Sequence, residues 1–229
     1  VFFRSPVRNP AFSTWGDAEI VTKGELTRQK IIAQAAPIFN QRGFSGCSMQ
    51  DILEATGLEK GGLYRHFSGK EELAVAAFGY ALSKSVRIRG AGMEEISGAI
   101  EKLRYAIRQF TDGPSPVPGG CPLMNTAIDA DDGNPALRRL ARQGIRDWKS
   151  RLSRIVRDGI RRGEIDREVD PRRMANTIIA TLEGALMISR LEGNKTAQRD
   201  ARASLEMLLD NIKPEVSPAL SGRPRRPHV

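Results

Sequence analysis

Residues Ser48 to Phe67 read SMQDILEATGLEKGGLYRHF, and the punctuation of this stretch decides the fold. Ser48 followed three residues later by Asp51 is a capping-box pattern, which satisfies the orphan N–H groups at a helix start. Ile52 and Leu53 give that short helix its apolar side, and Gly57 stops it. After the link Gly57-Leu58-Glu59, a second helix is predicted over Lys60–His66. Two short helices joined by a three-residue link containing glycine have helix-turn-helix geometry. The second helix opens with Gly61 and Gly62, each costing about 1 kcal/mol relative to alanine. Packing alone gains nothing from them. A helix that must approach the floor of a DNA major groove does.

Upstream, Ile31, Ile32, Ala35, Ile38 and Phe39 repeat at helical spacing, predicting an amphipathic helix from an N-cap at Thr27 to Arg42, with Gly43 as its stop. Pro37 is expected to kink it. Downstream, Ser68 with Glu71 forms a second capping-box pattern, opening a long helix from about Gly69 to Arg89. Ile96, Ile100, Leu103 and Ile107 share one face of a helix over Met93–Phe110. The proline- and glycine-rich run from Gly113 to Gly120 is expected to be a surface loop. A helix near Cys121–Ala130 follows. Asn134-Pro135 and Asp170-Pro171 each place a capping residue before an N1 proline, opening helices that end near Gly163 and Leu191. A last helix is expected over Ala197–Ile212. No stretch reads as a strand, so the expected fold class is all-α with about nine helices. The organisation is an arm (1–22), a helix-turn-helix head (23–70), a helical body (71–212) and a basic tail (213–229).

The 229 residues carry 36 Lys and Arg against 27 Asp and Glu, a net charge of +9. The head has seven basic and four acidic side chains, far denser in positive charge than the longer body. Such a balance points to a polyanionic partner. No stretch has the roughly 18–20 uncharged apolar residues of a membrane span, and Glu183 interrupts the best run. The first residues contain no signal-like apolar core, which fits a cytoplasmic protein. Cys47, Cys121, His66 and His228 are the only cysteines and histidines. That excludes a disulfide framework and a cysteine-rich metal site, and no cofactor is implied. An enzyme is disfavoured, for there is no phosphate loop after a strand, nucleophile elbow or paired metal-binding histidine.

The segment Thr27–Leu73 resembles the DNA-binding domain of TetR-family transcriptional regulators. The likeness lies in Phe39-x-x-x-Gly43-Phe44, Ser48-Met49-x-Asp51-Ile52 and Ala55-x-Gly57-Leu58. It continues through Lys60-Gly61-x-Leu63-Tyr64-x-His66-Phe67 and Lys70-Glu71-Glu72-Leu73. Two positions depart from the family pattern: Gly62 stands where threonine is common, and Glu59 where a capping serine is common. The resemblance implies that Tyr64, His66 and Lys70 touch the DNA backbone. Lys60, Gly61 and Gly62 lie nearest the bases in that reading, with Gln50 and Arg65 as further base-reaching side chains. Thr27 and Ser48 would offer helix N-termini to phosphates. A cation such as Lys70 in a first turn opposes the helix dipole, and a phosphate would relieve it. Phe67 reads as core.

The resemblance further implies a homodimer on a palindromic double-stranded operator, switched by a small-molecule effector. The helix after Asp170 is apolar around much of its circumference, so one face is expected against its own subunit and one against a second copy. Leu182, Ala185, Leu186 and Ser189 are the expected contacts there, joined by Leu205, Leu208 and Leu209 of the last helix. Effector-lining candidates from the front of the body are Phe78, Leu82, Tyr105 and Phe110. Those from its middle are Cys121, Met124, Asn125, Ile128 and Trp148. Gly120-Cys121-Pro122-Leu123 resembles a cysteine-bearing segment of electrophile-responsive repressors in the family. A thiol at a helix start would have a lowered pKa; the alternative is a small buried hydrophobe. The rival reading of the whole chain is a helical adaptor whose helix-turn-helix no longer binds DNA.

Overall fold

The computed structural model describes residues 22–130 and 133–214. The expected arm short of Thr22, Asp131, Asp132 and the tail beyond Pro214 lie outside the described residues. The described chain is helical throughout: α1 (Lys23–Arg42), α2 (Met49–Thr56), α3 (Lys60–Tyr64), α4 (Lys70–Gly90), α5 (Ala99–Thr111), α6 (Pro122–Asp129), α7 (Pro135–Arg161), α8 (Pro171–Glu192) and α9 (Thr196–Asn211). A single 3-10 turn over Met93–Glu95 precedes α5. The helix expected from Met93 is therefore broken, because Gly92 and Gly98 both take positive φ. Asn134 and Asp170 cap α7 and α8 through their side chains, with the prolines at the first helical position.

Three apolar cores hold the molecule together. In the head, Ile31, Ile32 and Ala35 of α1 meet Ile52, Leu63 and Phe67, and α4 adds Leu73, Ala77 and Ala81. Each large side chain buried in this way stabilises the fold by about 1.5–3 kcal/mol. The head's core thus extends past residue 70, and α4 belongs to both parts of the molecule. In the body, Leu103 and Ile107 of α5 pack on Val156, Ile178, Leu182 and Leu209. Between them, Phe78 of α4 meets Cys121, Leu123, Leu137 and Ala141.

The run from Gly113 to Gly120 is non-helical as expected, with Pro114, Ser115 and Pro118 exposed, but it does not lie wholly on the surface. Val117 is buried in the core of the head. Composition excludes helix from such a run without saying where the chain docks. The charge of the body is also unevenly spread. Helix α7 alone carries nine basic and two acidic side chains, so most of the body's surplus lies along one helix. No helix among the described residues is long and apolar enough to cross a membrane.

Candidate functional site

The head presents α3 outward by burying its opposite side. Leu63 and Phe67 are sealed in the core, with the Arg28 guanidinium 4.7 Å from the centre of the Phe67 ring. This leaves Lys60, Gly61, Tyr64 and Arg65 exposed and Gly62 and His66 half-buried. The helix is shorter than expected, ending at Tyr64. A Cβ added to Gly61 would meet no atom within 4 Å, and one on Gly62 only the Leu58 Cδ2 at 3.8 Å. Neither glycine takes positive φ. Nothing among the described residues calls for them, and their thinness leaves the face clear for a partner.

The remaining head residues divide. Ser48 caps α2, accepting from the Asp51 N–H at 3.1 Å while its own N–H donates to Asp51 Oδ2 at 2.7 Å. The Ser48 hydroxyl also donates to Asp51 Oδ2, and that bond first, then the Ser48 N–H and the Arg42 ion pair, hold the Asp51 carboxyl below the usual carboxylate range. Ser48's own N–H is therefore engaged within the box. Gln50 is exposed and donates along the helix to Glu54 at 3.1 Å. The expectation for Thr27 is corrected: the N-cap of α1 lies five residues earlier, at Thr22, whose Oγ1 accepts from Glu25 N–H at 3.2 Å. Thr27 sits inside the helix and its hydroxyl donates to the Lys23 carbonyl. The signal was present in Thr22-x-x-Glu25, itself a capping-box pattern. Ser68 likewise pairs with Glu72 rather than Glu71, leaving Gly69 as the N-cap of α4. Lys70 opens that helix with its ammonium 4.3 Å from the centre of the Phe44 ring.

A polar latch ties this head to the body. Asn40, buried at the end of α1, donates to the Pro118 and Gly120 carbonyls. Asn125 of α6 donates to Asn40's carbonyl at 2.9 Å and to the Gly119 carbonyl at 2.8 Å. One helical turn on, Asp129 accepts from the Phe44 N–H at 2.5 Å. Asn125 is therefore a structural tie rather than a cavity wall. Buried polar groups matched this completely hold one relative position of the parts they join.

Behind the latch lies a cavity of about 380 Å³ between α4, α5, α6 and α7, within the range of small-molecule sites. Of the expected lining residues, Leu82, Phe110, Cys121 and Trp148 are in its wall, the Phe110 and Trp148 rings stacked with centres 5.6 Å apart. The others are not. Phe78 and Met124 belong to the middle core, and with Asn125 Phe78 flanks only a 20 Å³ crevice, room for about one water. Tyr105 stands beside the cavity, its hydroxyl donating to the Ala91 carbonyl. Ile128 is 71% exposed and faces away. Arg87, Arg89, Met93 and Arg151 also line the wall, and no local signal in the sequence sets these residues apart from other charged or apolar positions on the helices.

Of the two readings of Cys121, the structure favours the small buried hydrophobe. The thiol is buried, and its pKa is pushed up to about 12, first by desolvation and then by the Glu183 carboxylate beside it. The helix-start dipole, worth about 0.3–1 kcal/mol, is too weak to offset this. It is a protonated, buried thiol, as is Cys47, also raised mainly by burial. Glu183 is raised by burial in turn, and neither of its oxygens closes a hydrogen bond.

The expected dimer face is corrected too. Leu182, Ala185, Ser189, Leu205 and Leu209 are all buried within the subunit, and half-buried Leu186 and Leu208 pack on the same body core. Ser189 accepts from the Gln198 N–H, joining α8 to α9. The stripe that faces outward is the other one: Met187, Ile188 and Leu191 of α8, with Met207 of α9. A helix apolar all round does not reveal from its period which stripe points in.

Comparison with known proteins agrees with this architecture. Residues 31–77 match the profile of bacterial regulatory proteins of the tetR family, and residues 99–205 that of the tetracyclin repressor-like C-terminal domain. A TetR transcriptional regulator from Chloroflexus aurantiacus superposes with a TM-score of 0.79 at 42% identity, covering 83% of this chain and 97% of that one. A TetR-family regulator from Cytophaga hutchinsonii gives 0.80 at 37% identity, covering 85% and 98%. The transcriptional repressor DhaR of Mycobacterium sp. (strain GP1) is 25% identical over 172 residues, 73% of this chain and 84% of the repressor. These relatives are transcriptional regulators rather than enzymes. With a helix-turn-helix head on a helical body, and with both family profiles matched, the chain belongs to the TetR family and is a DNA-binding transcriptional regulator.

Proposed function

We propose that the protein is a ligand-responsive repressor that binds a palindromic operator as a homodimer and releases it when a small molecule fills the cavity. The observation that carries this reading is the sharing of α4. Its first half supplies Leu73, Ala77 and Ala81 to the head, and its second half supplies Leu82, Ser85, Val86 and Arg89 to the cavity wall. Helix α6 makes a parallel connection, with Cys121 and Pro122 in the wall and Asp129 on the Phe44 N–H. A ligand that wedges these helices apart favours a conformation in which the two heads no longer match half-sites about 34–36 Å apart. DhaR, a named repressor, supports the sign of regulation.

In this reading Tyr64, His66 and Lys70 hold phosphates while Lys60, Arg65 and the backbone at Gly61 and Gly62 meet the base edges. The second copy docks on the outward stripe of α8 and α9, where exposed Ala180 and half-buried Gly184 also leave room for close helix approach. Met187→Glu with Leu191→Glu gives a monomer by sedimentation and abolishes cooperative operator binding. A dimer that survives both changes contradicts this face. The direct test of function is selection of duplexes from a random library, then a binding titration with and without cavity ligands. The adaptor reading is upheld instead if no duplex is enriched.

A further inference from the structure

The charge around the cavity defines what it selects. Its walls are apolar where Leu82, Val86, Leu123, Phe110 and Trp148 meet, but three arginines, the half-buried Arg89 and the exposed Arg87 and Arg151, also line it against one acid, the exposed Glu94. Arg89 is the telling one. Its guanidinium lies 4.2 Å from the centre of the Phe110 ring, and its Nε is buried without a hydrogen-bond partner among the described residues. A buried charged donor left unpaired is costly, and native interiors seldom leave one. Glu183 interacts with it electrostatically but closes no hydrogen bond with it. The positive charge is thus placed against the Phe110 ring in the cavity wall with its Nε donor unfilled.

We propose that the effector class is an apolar, aromatic monoanion, its carboxylate or sulfonate head paired with Arg89 and its ring body against Trp148 and Phe110. The proposal rests on the effector-cavity reading above and adds the sign of the ligand's charge to it. A guanidinium suits this role because its planar fork matches the two oxygens of such a head. A cationic effector would face three arginines. A neutral polyol would leave the aromatic wall uncovered.

Two fluorescent naphthalenes of nearly the same shape separate charge from bulk: 8-anilinonaphthalene-1-sulfonate, an anion, and N-phenyl-1-naphthylamine, its neutral counterpart. The full-length protein with Trp15→Phe leaves Trp148 as the sole tryptophan, so energy transfer from it reports binding at the cavity. We expect the anion to bind at least tenfold more tightly, the effect of one charge-assisted hydrogen bond. Arg89→Met is expected to weaken the anion by about ten- to a hundredfold and to shift the neutral compound by less than about threefold, with Arg89→Lys recovering part of the loss. Equal affinity of the two compounds, or equal loss of both on Arg89→Met, overturns the anion proposal while leaving the cavity a ligand site. If neither compound quenches Trp148, the effector-cavity reading falls and the proposal with it. The ratio in the parent protein stands as a test even if Arg89→Met fails to fold.

Discussion

Two glycine pairs, Gly61-Gly62 on α3 and Gly119-Gly120 beside the latch, look alike in sequence and differ in what demands them. At Gly119 φ is +105° and an added Cβ would stand 2.8 Å from the Asn40 carbonyl oxygen. At Gly120 φ is +96° and a Cβ would come 2.6 Å from Arg190 Nη1. There the fold itself requires glycine. On α3 the backbone is ordinary and the surroundings are open, so glycine is a cost to the subunit that only an external surface can offset. Where packing does not explain a small residue, a partner does.

Breaking the inner pair carries the largest expected effect. Gly119→Ala forces an L side chain into a positive-φ conformation against backbone, which destabilises by about 3 kcal/mol. Thermal denaturation checks it, and an unchanged Tm contradicts the geometry described. Next comes the latch. Asn125→Ala leaves the Asn40 and Gly119 carbonyls without this donor, a loss of about 1–3 kcal/mol. It also weakens the α6 link from cavity to head, which keeps only the Asp129 contact with Phe44, so a bound ligand should shift DNA affinity less than in the parent.

On the outer surface the effects are smaller and leave stability nearly untouched. Lys70→Ala should reduce the slope of log affinity against log salt by about one unit. Its contact with Phe44 contributes about 0.5–1 kcal/mol at such a site, so Tm should change little. A slope that does not move removes Lys70 from the phosphate contacts. The smallest effect concerns Cys121. With its thiol pushed up to about 12, it stays protonated at pH 8, and iodoacetamide should label it in the folded protein far more slowly than after denaturation. Rapid native labelling accompanied by loss of operator binding would restore the sensor reading.

Local chemistry was readable in sequence, and relative placement was not. Asn134-Pro135 and Asp170-Pro171 located two helix starts because an N-cap followed by an N1 proline has few other uses. The pairing of Ser48 with Asp51 located α2 for the same kind of reason. The head's contact candidates were nameable because α3 is short and its buried side, Leu63 and Phe67, fixes the other. The cavity was hidden because it is assembled from four helices and the link before α5. Arg89 becomes informative only once its neighbours leave Nε unpaired. Cys121 stayed open between two readings because its local setting allowed a reactive thiol while distant packing determined its burial. The stripe on α8 misled because two apolar faces share one period.

The comparison between the glycine pairs is tested most directly by Gly61→Ala and Gly62→Ala, each assayed for both Tm and affinity for a selected duplex. The account predicts a Tm unchanged or raised, since alanine favours helix by about 1 kcal/mol, together with at least about a tenfold loss of DNA affinity. A fall in Tm, or an affinity that remains within about twofold, would contradict it.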